Sequence, residues 1–134
     1  MITFHATSKE NVESILKNGF SIEKQGENGS FLGNGIYVAG TKNLAKKYGK
    51  CLLRVVVDDS KIYRFDDFYS QYPKKCKELH KSGVKEEFVN STAGQFFKDF
   101  YLNLEYQGII IPSVLGTSFE MVIYDNSIIQ EILI

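Results

Sequence analysis

The stretch "GNGIYVAGTKNLAKKYGK", residues 33–50, decides how this chain is read. Gly33, Asn34 and Gly35 are turn residues, and "IYVA" after them has the look of a short strand. Tyr37 therefore follows a glycine turn, where a backbone without Cβ atoms lets the chain approach a ligand closely. Thr41 is placed to cap a short helix, "TKNLAKKYGK". Tyr48 ends that run, eleven residues after Tyr37. The question is what two tyrosines so spaced are meant to hold.

On the N-terminal side, "MITFH" reads as a strand ending at His5. "TSKENVESILKNGF" reads as a helix. Thr7 and Glu10 have capping-box spacing, Val12, Ile15 and Leu16 form an apolar stripe, and Gly19 is a stop. Residues 23–35 are polar and carry four glycines, which predicts a flexible loop.

On the C-terminal side, "CLLRVVV" is a near-continuous apolar run and reads as a central strand. "KIYRF" continues extended. A helix follows over about 66–81, with Tyr69, Tyr72, Cys76 and Leu79 on one face and Lys74, Lys75, Lys77 and Lys81 mostly on a solvated one. A longer helix spans about 85–104. Its stripe of Phe88, Val89, Ala93, Phe96, Phe97, Phe100, Tyr101 and Leu104 reads as core. "GIIIP", "FEMVIYD" and "QEILI" close the chain as short strands. Strands at both ends with helices between them predict an α+β fold and not alternating βαβ units.

A chain of 134 residues predicts one domain, residues 1–134, able to bury a core without staples. Lysine plus arginine and aspartate plus glutamate each number 16, so net charge supplies no footprint for nucleic acid. Cys51 and Cys76 have no metal-ligand spacing, and nothing suggests a disulfide scaffold, so a reducing cytoplasm is expected. His80 lies among lysines and reads as a surface residue. The first residues lack a basic start followed by an apolar run, and no stretch is long enough to span a membrane. Neither a metal nor a membrane partner is expected.

Three polar residues are not needed for packing. His5 ends the first strand, Tyr37 follows the glycine turn, and Glu120 is the only charge in "SFEMVIY". Each alone is more often structural than functional. Glu120 is the hardest to dismiss, because a carboxylate between Phe119 and Met121 is costly to bury unpaired. Alternation turns it to the other sheet face, towards a cleft or solvent.

Taken together, "FHATSKENVESILKNGF", "GNGIYVAGTKNLAKKYGK" and "FEMVIYD" resemble the catalytic domain of poly(ADP-ribose) polymerase-like ADP-ribosyltransferases. These segments keep the family's order and cover about a third of the chain. The family's His–Tyr–Glu triad would be His5, Tyr37 and Glu120. The resemblance implies a split β-sheet domain that binds NAD+ as substrate in a cleft between two small sheets. It gives His5 the adenosine-side ribose hydroxyls. Ala6, where the family has glycine, would contact the nicotinamide amide through its backbone, and Thr7 completes the motif. Tyr37 and Tyr48 would sandwich the nicotinamide ring, a flat cation suited to aromatic faces. Ala45 stands where many members carry a serine that bonds the carboxamide, so one hydrogen bond worth about 1 kcal/mol is missing or supplied elsewhere. Residues 58–107 match no part of the pattern.

The implied function is NAD+-dependent mono-ADP-ribosyl transfer to a macromolecule, with a protein as the expected acceptor. An effector or toxin of bacterial or phage origin, acting in host cytoplasm, fits such a unit. With water as acceptor the same site is an NAD+ glycohydrolase. A degenerate domain that only binds a nucleotide or protein is the alternative that Ala6 and Ala45 support. An RNA 2′-phosphotransferase, which needs an arginine-rich site, is poorly served by Arg54 and Arg64 alone.

Overall fold

The computed structural model describes residues 1–21 and 31–134. Most of the predicted polar loop, including Gly26 and Gly29, lies outside the described residues. The rest is an α+β fold. Seven strands form one sheet in the order β4-β5-β6-β2-β1-β3-β7. They are β1 (Ile2–Thr7), β2 (Ile36–Ala39), β3 (Cys51–Val57), β4 (Ile62–Arg64), β5 (Gly108–Pro112), β6 (Phe119–Ile123) and β7 (Ile129–Leu133). The helices are α1 (Lys9–Asn18), α2 (Lys42–Ala45), α3 (Phe68–Lys81) and α4 (Glu86–Asn103). Among the described strands, β4 and β5 are the one pair joined in parallel.

The first strand runs further than its sequence suggests. β1 is paired with β3 over its whole length, from Ile2 opposite Val56 to Thr7 opposite Cys51. Thr7 is thus committed to the ladder, and the helix cap passes to Ser8. Its backbone is extended and its hydroxyl accepts from the Asn11 N–H. The Thr7–Glu10 capping box is therefore not formed, and Ser8 caps the helix one residue later. Gly19 does end α1, with φ 77° and its N–H bonded to the Ile15 carbonyl.

Hydrogen bonding runs through one sheet, where the family resemblance implied two. Yet β1 and β2 meet at a single registered pair, Phe4 opposite Ala39. That narrow joint divides a β7-β3-β1 half from a β2-β6-β5-β4 half. Two apolar layers lie on the faces. Ile15 and Phe20 from the α1 side pack with Leu53, Val55, Val57, Val38, Met121 and Ile123. On the other face Phe97 and Tyr101 of α4, with Phe65, pack on Ile109, Ile111, Val122 and Tyr124.

Three pattern readings need correction. β3 lies one place in from the β7 edge, and Arg54 is exposed between buried Leu53 and Val55. No residue of α3 is fully buried, and Tyr69 is exposed, because α3 packs mainly on α4 and not on the sheet. In α4 the buried positions are Val89, Ala93, Gly94, Phe97 and Tyr101. Phe88, Phe96, Phe100 and Leu104 are exposed, since the aromatic stripe is wider than the face one sheet can cover.

Candidate active site

The site is assembled on β2 and its two neighbours. β2 pairs with β6 so that Tyr37 lies opposite Val122 and Ala39 opposite Glu120. The glycines before Tyr37 serve packing first. A Cβ on Gly35 would lie 2.5 Å from the Val122 side chain and 2.9 Å from the Ile123 carbonyl. Gly33 has φ +77°, a left-handed conformation that L side chains rarely adopt. The close approach inferred from the glycine turn is thus made to β6.

The Tyr37 hydroxyl is tied to that same turn. It donates to the Gly33 carbonyl at 2.6 Å and accepts from the Leu32 N–H at 3.1 Å. Burial raises its pKa well above the usual tyrosine value, so it stays a neutral phenol. From the other side, Gly94 of α4 lets the helix close on residues 31–33. A Cβ there would lie 2.7 Å from the Phe31 carbonyl oxygen. The Tyr37 ring is partly buried against Phe31, centroids 5.4 Å apart.

His5 reaches Tyr37 through the main chain. Its Nδ1 lies 2.8 Å from the Tyr37 carbonyl oxygen, at the point where β1 and β2 separate. A carbonyl only accepts, so Nδ1 carries the proton and donates, and a neutral ring keeps Nε2 as an acceptor. Burial pulls the imidazole pKa below its ordinary 6.5, opposed by the bond to Tyr37. The ring stands edge-on to Phe20, centroids 5.0 Å apart.

Glu120 has two donors on one oxygen. The Tyr48 hydroxyl donates to Oε1 at 2.5 Å and Lys47 Nζ lies 3.0 Å from the same atom. Among the described residues, none donates to Oε2. The Glu120 side chain is 23% exposed, so it is partly open to solvent. Burial, then the bond to Glu120, raises the Tyr48 pKa. For Lys47, burial opposes the charge, but the hydrogen bond and the negative charge of Glu120, with Tyr48, together outweigh it and raise the pKa, so the ammonium stays protonated.

The Lys47 contact was not legible in the sequence. Its only signal is the "KKY" run, because Lys47 and Tyr48 share the 3-10 turn Lys46–Tyr48 that carries both to Glu120. That turn seats closely on β1. A Cβ on Gly49 would lie 2.5 Å from the Thr7 Cα. Thr41 caps α2 as predicted, accepting from the Leu44 N–H.

Ala6, Ala39 and Ala45 are all buried and pack together at the sheet joint. Ala6 and Ala45 are two of the residues implied to meet nicotinamide, and here they lie in one buried cluster with Ala39. Thr7 continues the ladder beside them. The seven sequence-predicted residues thus fall into linked groups. His5 joins Tyr37 by the main chain, Tyr48 joins Glu120 by side chains, and the alanines lie at the joint. Concavities lined by Phe20 and Asn126, by Lys75 and Phe96, and by Cys76 and His80 lie elsewhere. Among the described residues, no group of His, Cys, Asp and Glu could hold a metal.

The sequence matches the poly(ADP-ribose) polymerase catalytic domain family over residues 1–90, and the chain belongs to that family. The match extends through α3 into α4, beyond the segments that carry the sequence resemblance. It includes His5, Tyr37 and Tyr48 but stops before Glu120, which the sheet brings to them. No curated protein matches the chain. One solved structure, described as the crystal structure of an anti-CRISPR protein, is similar over 92% of this chain and 90% of its own. Its identity is 17% and its TM-score 0.44, which is too distant to carry an argument.

Proposed function

We propose that this domain is an NAD+-dependent mono-ADP-ribosyltransferase acting on a protein. The observation that carries the proposal is the registry of Glu120 opposite Ala39, two residues past Tyr37, with Tyr48 bonded to its carboxylate. The family match brings NAD+ chemistry to that arrangement.

In this reading the bond between nicotinamide and the ribose C1′ breaks, and its electron pair leaves with nicotinamide, which becomes neutral. The ribose carbon gains oxocarbenium character. Glu120 supplies the negative charge that favours it and accepts a hydrogen bond from the ribose 2′-hydroxyl through Oε2. Tyr48 and Lys47 hold Oε1, so the carboxylate is oriented before substrate arrives. Tyr37 and Tyr48 flank the nicotinamide, and His5 Nε2 accepts from a ribose hydroxyl. The acceptor attacks C1′ and its proton passes to Glu120 or to water. The cleft lies at the narrow joint between the sheet halves.

The packed alanines favour a second reading, a domain that binds a nucleotide or protein without turnover. Incubation of the purified protein with NAD+ labelled in the adenylate portion, with and without cell lysate, separates the readings. Label on a macromolecule supports transfer. Nicotinamide release with no labelled species indicates a glycohydrolase, and intact NAD+ indicates the non-catalytic domain.

A further inference from the structure

A registered row of residues crosses the sheet. Leu133 lies opposite Arg54, Arg54 opposite Phe4, Phe4 opposite Ala39, and Ala39 opposite Glu120. Directly opposed residues project to the same side of a sheet. Arg54 therefore shares a face with Glu120. Lys42 Nζ sits 5.8 Å from the centre of the Phe4 ring in that row, and Lys47 sits on Glu120 itself.

Among the described residues, Lys42, Lys47 and Arg54 bring positive charge to this face, and the segment that carries them is basic. The chain has no aspartate or glutamate between residues 28 and 57, yet carries Lys42, Lys46, Lys47, Lys50 and Arg54 there. All five are exposed. Among the described residues, only Lys47 of the five forms an ion pair. The one acid in the row is Glu120 at its end, already held by Lys47, and Glu131 lies in the next row, opposite Val56 at the far edge. The α3–α4 layer covers the other half of the sheet, whereas Ile2 and Leu133 on this half are 54% and 39% exposed.

We infer that this face docks an acidic, partly apolar segment of a partner protein and leads it to Glu120. Carboxylates on the segment would meet Lys42, Arg54 and the lysines of the 3-10 turn, and apolar side chains would cover Ile2 and Leu133. Complementary charge of this kind sets orientation and speeds encounter. A protein fits better than a nucleic acid. The row interleaves its cations with apolar side chains, and the zero net charge gives a long polyanion no overall attraction. The docking stands on charge and exposure alone. Only the role of the bound segment as acceptor rests on the transferase reading.

The test uses a short fluorescein-labelled peptide of glutamates with interspersed leucines, and a single-stranded oligonucleotide of equal charge, followed by anisotropy. The peptide is expected to bind saturably, more weakly as salt rises. The double variant Lys42→Glu with Arg54→Glu should lose about tenfold or more in affinity, as charge reversal at a complementary rim predicts. A control pair on α3, Lys74→Glu with Lys77→Glu, should bind as the wild type does. Absence of saturable peptide binding, an equal loss in the α3 control, or tighter binding of the oligonucleotide would overturn the inference. Nicotinamide release into water is measured in parallel and should be unchanged by Lys42→Glu and Arg54→Glu. If wild type neither releases nicotinamide nor labels a macromolecule in lysate, the transferase reading fails, while the peptide result still decides the surface.

Discussion

The Tyr48 hydroxyl donates to Glu120 Oε1 across 2.5 Å, joining residues 72 apart in the chain. Lys47 takes the same oxygen, so the carboxylate is fixed at one atom and open at the other. Glu120→Gln keeps this shape and an accepting oxygen but removes the charge. NAD+ affinity should be largely retained and transfer should fall by about a hundredfold or more, because the charge matters most in the transition state. Tyr48→Phe keeps the ring and removes the orienting donor, so kcat should fall more than KM rises. Near wild-type transfer by Glu120→Gln would leave Glu120 an ordinary strand residue.

Tyr37 separates ring from hydroxyl. Tyr37→Ala should weaken NAD+ binding, measured by calorimetry, because it removes one wall of the proposed ring site. In wild type, NAD+ at a hundredfold excess over Kd should stabilise the fold by about 2.7 kcal/mol, and this gain should shrink in the variant. The hydroxyl has a structural duty as well. Tyr37→Phe strands the Leu32 N–H and the Gly33 carbonyl, so it should cost about 1–3 kcal/mol of stability. Denaturant titration of Tyr37→Phe reads this directly, and an unchanged midpoint would mean that water replaces the hydroxyl.

His5 makes stability depend on pH. Burial holds its folded pKa below the ordinary 6.5. The unfolded chain therefore binds the proton first as pH falls, and acid favours unfolding. The contribution from neutral His5 is full above about pH 6.5 and is lost as the pH drops towards the folded value. Melting temperatures measured from neutral pH down to about pH 5 should fall in wild type and fall less in His5→Gln. His80 is common to both proteins, so the difference isolates His5. Parallel curves would place His5 in a site that is protonated without cost.

Gly94 couples α4 to the site. Gly94→Ala drives a methyl group to within 2.7 Å of the Phe31 carbonyl oxygen and 2.9 Å of the Gly33 nitrogen. Backbone cannot yield as a flexible side chain does, so a loss of about 1–3 kcal/mol is expected. NAD+ affinity should fall with it, since residues 31–33 hold the Tyr37 hydroxyl. Gly83→Ala is a useful contrast. Gly83 has nothing within 4 Å of its would-be Cβ, so only its φ of +99° is strained, and NAD+ affinity should be unaffected.

Local chemistry made much of the chain legible in advance. Alternation in "FEMVIYD" turned Glu120 away from Met121, which is buried in the α1-side layer. Gly19 ended α1 because a left-handed residue can close the last turn. Thr41 capped α2 for the equally local reason that its hydroxyl reaches the Leu44 N–H. Periods of 2 and 3.6 are properties of the backbone, and such properties survive folding.

What the tertiary structure decided was the set of partners. Thr7 and Ser8 are equally good caps by type, and pairing with Cys51 chose between them. Gly33 and Gly35 look like one flexible turn, but φ explains the first and contact with β6 the second. Lys47 is one lysine of a basic run until β6 brings Glu120 beside it. Phe97 and Phe100 are the same residue type on one helix, yet one is buried and the other exposed, because the sheet covers only part of the stripe. A sequence fixes residue types and their spacing along the chain. Electrostatic pairing and burial depend on distances across it, and those arise only when the strands choose their neighbours.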